Sequence, residues 1–281
     1  GREGVRLGGA DFGTIAAFVV GGVAAVYGFF ALQAAISDSA MSTALKVVGL
    51  LGAAGIAYII YNGTSGSEQW SRVSAILIFT IANIFFWSGF EQAGGTFNLF
   101  AAEETNRVVF GYEIAASLFQ SINALAIFIF APMFASLWVN LATRNMNPST
   151  PAKFGLGLTL LALGFVVMSF ASFAAEGEGL ISPMWLIGVY VLHTFGELCI
   201  SPIGLSMVTK LAPPKIVSVM MGLWFASMAL ANYLAGIMES LLHSIAPDMN
   251  LFVFLTITAA VGAALLFALT PLLRKLMRGI H

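Results

Sequence analysis

The sequence predicts an all-α transmembrane protein, and three observations predict it. Of 281 residues, 59% are hydrophobic and 9% charged, whereas a soluble domain carries roughly 25% charged residues. The apolar residues form runs long enough to cross a bilayer core at about 1.5 Å of rise per residue. Once the charges at their ends and in the loops are removed, those runs keep two acids, Glu91 and Glu197. The net charge of −1 averages over two faces that the chain itself separates. A single cysteine, Cys199, excludes an intrachain disulfide.

Eight crossings are read in order. The first two, about Gly13–Ala35 and Ala44–Asn62, carry no charge except Lys46 at an end. Their Gly21-Gly22, Gly49, Gly52 and Gly55 suit close helix packing. Residues 1–62 are therefore assigned to a linker and an accessory helical hairpin. Gly1 to Asp11 is short and polar and lacks the apolar core of a signal peptide. The absence of an initiator Met suggests a fragment of a longer chain. Residues 63–74, polar and rich in Gly and Ser, are expected to be a cytoplasmic link. Residues 75–281 then hold six crossings: about Ala75–Phe100, Tyr112–Leu141, Phe154–Ala175, Met184–Val208, Ile216–Leu241 and Leu251–Leu273.

Loop charges orient the chain. With both ends cytoplasmic, Arg2, Arg6, Arg72, Arg144, Lys153, Lys210, Lys215, Arg274, Lys275 and Arg278 all fall inside, leaving only Lys46 and Arg107 outside. The outer loops collect Asp38, Glu103, Glu104, Glu113, Glu176, Glu178, Glu239 and Asp248. The expected location is a cell (inner or plasma) membrane, crossed many times and surrounded by lipid. These basic residues need no role beyond topology.

Polar residues within the crossings are sparse and fall into register. Asn83, Trp87, Glu91, Gly94/Gly95 and Asn98 follow one helical face. Gln120 and Asn123 are adjacent on the next crossing, where Pro132 supplies a kink. His193, Glu197 and Ser201 stand four apart on one face, and Trp224 and Asn232 follow. Together they mark a polar seam, the signature of a water-accessible cavity. Asn83 and Asn232 also suit a role as interhelical glue, and His193 a bond to a neighbouring backbone. A midplane carboxylate costs a few kcal/mol, so Glu91 and Glu197, with no lysine or arginine inside the crossings other than Lys46 at an end, are assigned function. Pro202, five residues after Glu197, removes a backbone donor and is expected to kink or break its helix.

Enzyme signatures do not appear. His193, His243 and His281 are too far apart for a metal-binding spacing, and Ser201-Pro202-Ile203-Gly204 is no nucleophile elbow. No basic stripe suits nucleic acid. The protein is expected not to be an enzyme and to need no metal.

Phe86-Trp87-Ser88-Gly89-Phe90-Glu91-Gln92, Phe119-Gln120-Ser121-Ile122-Asn123, Gly196-Glu197-Leu198-Cys199-Ile200-Ser201-Pro202-Ile203-Gly204-Leu205-Ser206 and Met221-Gly222-Leu223-Trp224-Phe225 resemble the proton-dependent oligopeptide transporter family of the major facilitator superfamily. The resemblance runs from Ala75 to the end and implies the carboxy-terminal six-helix half. The leading hairpin resembles the helix pair that bacterial members insert between their halves. The family's first-helix Glu-x-x-Glu-Arg-Phe motif is absent, which places the amino-terminal half among the expected partners.

The resemblance implies a proton-coupled importer of di- and tripeptides, driven by the proton gradient and needing no cofactor. It makes Glu197 the acid that receives the peptide amino terminus and takes part in proton handling. Asn123, Trp224 and Trp87 resemble substrate-binding residues, and Glu91 a proton-coupling acid that pairs with a lysine of the absent half. Leu205, just beyond Pro202, takes the place of a cytoplasmic gate. Phe90 departs from members that carry a second acid there. A carboxylate in low dielectric tends to hold its proton and a nearby ammonium favours ionisation, so peptide and proton can be linked through the same acids. Transport of other organic solutes, such as nitrate or drugs, and a non-transporting membrane scaffold stand as alternatives.

Overall fold

The structure is a computed structural model that describes residues 40–109 and 111–280. The first expected crossing, Gly13–Ala35, lies outside the described residues. The rest is helical: α1 (Ala40–Gly63), α2 (Gly66–Phe90), α3 (Thr96–Glu103), α4 (Ser121–Thr143), α5 (Thr150–Glu178), α6 (Met184–Leu211), α7 (Val217–Ile245) and α8 (Leu251–Leu276). Among the described residues six helical stretches are long and apolar enough to cross a membrane, with α2 and α3 counted as one. These correspond to the six crossings expected after the hairpin.

Their ends follow from sequence. Pro151 stands in the first turn of α5, where its missing N–H costs nothing. Asn250 caps α8, its Oδ1 accepting from the backbone N–H of Phe252 at 2.9 Å, while its Nδ2 donates to Ser172 Oγ at 3.0 Å.

Three boundaries differ from expectation, each for a local reason. The link expected at 63–74 is helical from Gly66 on, and only Thr64 and Ser65 separate α1 from α2. Its polar residues satisfy one another within the helix: Gln69 accepts from the Ser65 N–H at 2.8 Å, and Arg72 pairs with Glu68 at 2.6 Å. The crossing expected from Tyr112 begins instead with a strand. Val108–Val109 and Tyr112–Glu113 pair antiparallel around Gly111, whose φ of +83° favours glycine. Arg107 fastens this hairpin, donating to Ile114 O at 2.8 Å and pairing with Glu113 at 2.6 Å. A 3-10 turn, Ala116–Gln120, then leads into α4.

The third difference concerns where a helix breaks. Pro202 lies inside an uninterrupted α6, because losing one donor leaves the other bonds of a 28-residue helix in place. The interruption falls instead at Glu91–Gly95, between α2 and α3, as a 3-10 turn followed by two glycines of poor helix propensity. Gln92 secures it: Nε2 donates to Ala235 O on α7 at 3.1 Å, and Oε1 accepts from Thr96 Oγ1 at 2.8 Å.

The described residues divide into two compact units. The smaller comprises residues up to Ile81, Ser206–Trp224 and Pro271 onward; the larger comprises Ala82–Leu205 and Phe225–Thr270. In the smaller unit Gly63 lies so close to Ile216 that a Cβ there would overlap it. No described residue lies within 4 Å of a Cβ placed on Gly49, Gly52 or Gly55. The larger unit is built on α5, whose glycines face its neighbours. A Cβ on Gly157 would stand 2.9 Å from the Gly196 carbonyl, and one on Gly196 2.8 Å from the Gly157 carbonyl. Helices α5 and α6 therefore meet backbone to backbone. Around this contact Phe97, Phe165, Tyr190 and Phe252 form an aromatic core, with Phe97 centroids about 5.9 Å from each of the others.

Candidate functional site

Glu197 and Asn123, singled out separately by sequence, meet. Asn123 lies in the first turn of α4, and its Nδ2 donates to Glu197 Oε2 at 2.9 Å. The same nitrogen donates to Thr194 Oγ1 at 3.0 Å. Thr194 in turn donates to Tyr190 O at 2.7 Å, and the Tyr190 hydroxyl donates to Ala93 O at 3.3 Å. A run of hydrogen bonds thus joins Glu197 on α6 to the interruption that carries Glu91. Glu91 itself interacts with the Asn232 side chain, and the two carboxylates are near enough to act on each other electrostatically.

Neither acid has an ion-pair partner among the described residues. The pairs found there, Arg72–Glu68 and Arg107–Glu113, lie away from both. Glu91 and Glu197 are both half-buried. Two carboxylates with amide neighbours and no ion-pair partner among the described residues can receive a proton or an ammonium group, and so can exchange one for the other. Among the described residues no three His, Cys, Asp or Glu side chains group to hold a metal ion.

Other expected site residues are placed differently. Trp87 is buried edge-on against Phe86 and Phe90, with centroids 5.7 and 5.0 Å away. Trp224 is 2% exposed. Pro202 and Leu205 lie on exposed positions of α6. Asn83 donates to Ser227 Oγ at 2.9 Å, and Asn232 Nδ2 to Met228 O at 3.0 Å, so both amides also bond neighbouring helical turns or helices. Gln120 is exposed in the 3-10 turn, and Ser201 Oγ is buried without a hydrogen-bond partner.

His193 leaves the seam. Its ring fills the space Gly164 opens on α5, where a Cβ would overlap it, and Nε2 lies 3.2 Å from Leu161 O. Phe97 and Phe165 surround it at centroid distances of 5.6 and 4.8 Å. It packs the core, the backbone-bonded alternative weighed from sequence.

Two residues escaped the sequence reading. Thr194 is fully buried; its spacing of three from Glu197, adjacent on a helix, was the available signal. Lys153, read from sequence as a cytoplasmic loop charge, falls within a helix. It is 9% exposed in the first turn of α5, with Nζ 4.5 Å from the Trp138 ring centroid, a cation–π contact. A position so near a helix end reads as a loop charge in sequence.

Long apolar helices with a half-buried, cation-free acid pair define a multi-pass membrane protein built around a polar site. The POT family profile, PTR2, matches residues 12–253, and the chain belongs to the POT family. It is 38% identical over 253 residues to the peptide transporter YePEPT of Yersinia enterocolitica, covering 87% of this chain and 49% of that protein. Among solved structures it is similar to the peptide transporter POT in complex with sulfate, with a TM-score of 0.72 and 31% identity over 97% of this chain and 56% of that one. It is also similar to a POT family transporter in complex with a thioalcohol conjugated peptide, with a TM-score of 0.72 and 28% identity over 94% of this chain and 54% of the other. The chain spans about half the length of the curated relatives it matches.

Proposed function

We propose that the chain serves proton-coupled symport of di- and tripeptides into the cytoplasm by alternating access, as the carboxy-terminal half of a transporter. The observation that carries this is Glu197: a half-buried acid in the middle of a crossing, bonded by the neutral amide of Asn123 and without an ion-pair partner among the described residues. Such a group suits the α-ammonium of a peptide when ionised and a proton when not. Family membership and relatives named as peptide transporters support the substrate class.

In this reading Asn123 hydrogen-bonds the bound peptide, and Trp87 and Trp224 are each assigned to substrate binding. Glu91 passes the proton with Glu197. The exposed Pro202 and Leu205 belong to a cytoplasmic gate closed against the amino-terminal half. That half also supplies the cation for the peptide carboxylate, a role for which Lys153, held over Trp138, is not assigned. The proton gradient drives the cycle without a cofactor. The basic residues at loop and helix ends support a topology with both termini cytoplasmic. The accessory role of residues 1–62 is carried by family resemblance.

The test is uptake of labelled dipeptide by proteoliposomes holding the intact transporter under an imposed pH gradient. Glu197→Gln is expected to lower accumulation by about 100-fold, the scale of a lost charge-assisted contact. Accumulation equal to wild type overturns the assignment.

A further inference from the structure

Asn123 holds a primary amide with two N–H groups, and both are engaged: one on Glu197 Oε2 and one on Thr194 Oγ1. What remains is the amide oxygen, an acceptor. Thr194 is equally committed. It is fully buried, its hydrogen is given to Tyr190 O, and its oxygen accepts from Asn123. The bond to Tyr190 is a bond to the preceding turn of its own helix, whose carbonyl already has a helical amide. Helix α6 does not need it. The accepting side of the hydroxyl serves Asn123 alone.

The two anchors of Asn123 differ in constancy. Glu197 changes its state during transport on the reading above, and when it takes a proton or an ammonium its bond to Asn123 weakens. Thr194 does not titrate and does not meet solvent. An amide side chain is nearly twofold about its last torsion, so one surviving anchor decides which way its oxygen points.

We propose that Thr194 is a positioning residue for peptide binding: its buried hydroxyl holds one N–H of Asn123 while Glu197 changes partner, so that the Asn123 oxygen stays presented to an N–H of the bound peptide. The ligand chemistry is a backbone amide or ammonium donor. The proposal rests on the peptide-binding role of Asn123 and Glu197 given above.

Gradient-driven dipeptide uptake by the intact transporter in proteoliposomes tests it, comparing wild type, Thr194→Val, Thr194→Ser, Asn123→Ala and the double variant Thr194→Val/Asn123→Ala. Valine keeps the shape and removes the acceptor. The expected result is a KM raised about fivefold by valine, the size of one net hydrogen bond, with the maximal rate within about twofold. Serine, which restores the hydroxyl, recovers most of the affinity. The double variant is no worse than Asn123→Ala alone, because the threonine acts through the amide. An unchanged KM in Thr194→Val, a serine variant as impaired as valine, or effects that multiply in the double variant each overturn the proposal. If Asn123→Ala leaves KM unchanged, the peptide-binding reading fails and takes the threonine with it. If alanine at 123 raises KM and valine at 194 does not, only the threonine assignment fails. Should Thr194→Val not accumulate in the membrane, Thr194→Ala against Thr194→Ser gives the same discrimination.

Discussion

The two compact units differ in the charges they hold. The smaller carries Lys46, Arg72, Lys210, Lys215, Arg274, Lys275 and Arg278, with Glu68 the only acid among its described residues. Several of these cations are exposed, and Arg72 finds Glu68 one turn away. The larger unit holds both midspan acids, bonded or faced by amides and by each other. A charge that water or a local partner satisfies costs little to keep and does little. A half-buried charge with neither is expensive. The comparison teaches where to look for work in a membrane helix: at the charge whose partner is an amide.

Substitutions can break or sharpen that contrast. The largest effect is expected at the support of the acid rather than the acid itself. Gly157→Val places a side chain against the Gly196 carbonyl and Ile200, and is expected to destabilise the fold by about 3 kcal/mol, read as a lowered Tm in detergent. An unchanged Tm means that the α5–α6 contact is not the frame of the site.

Next, Glu91→Gln removes a charge and keeps the shape. Gradient-driven dipeptide accumulation should fall by about tenfold, equivalent to about 1.4 kcal/mol, while Tm holds or rises because a costly charge has gone. A sharp loss of Tm with transport intact assigns Glu91 to the frame instead.

Gln92→Ala leaves Ala235 O and Thr96 Oγ1 without their amide. A stability loss of about 1 kcal/mol is expected, measured by thermal unfolding. The smallest effect belongs to the smaller unit: Arg72→Ala breaks a pair whose Glu68 side chain is 64% exposed and should shift stability by under about 0.5 kcal/mol with uptake unchanged. A transport defect there as deep as at Glu91 erases the distinction between the units.

Much of this was legible in sequence because hydrophobic length and the cost of buried charge are properties of composition. The six long helices and both acids follow from them. Partnership is not such a property. Asn123 and Glu197 were each named, but their bond at 2.9 Å depends on how α4 packs on α6. A kink or break was sought at Pro202; the helix runs on through it, and an interruption is found at Glu91–Gly95. A proline announces itself while removing a single donor, whereas the interruption at Glu91–Gly95 is secured by a bond from Gln92 to Ala235 O that only helix packing supplies. Lys153 was counted with the loops because one turn of depth cannot be read from a hydropathy edge.

The residue before Glu197 is Gly196, and it meets Gly157 through bare backbone. The acid is therefore mounted on the tightest seam of the larger unit, and its main chain cannot travel without dragging α5 along. On the proposed transport reading, the carboxylate is a fixed post to which cargo and proton come.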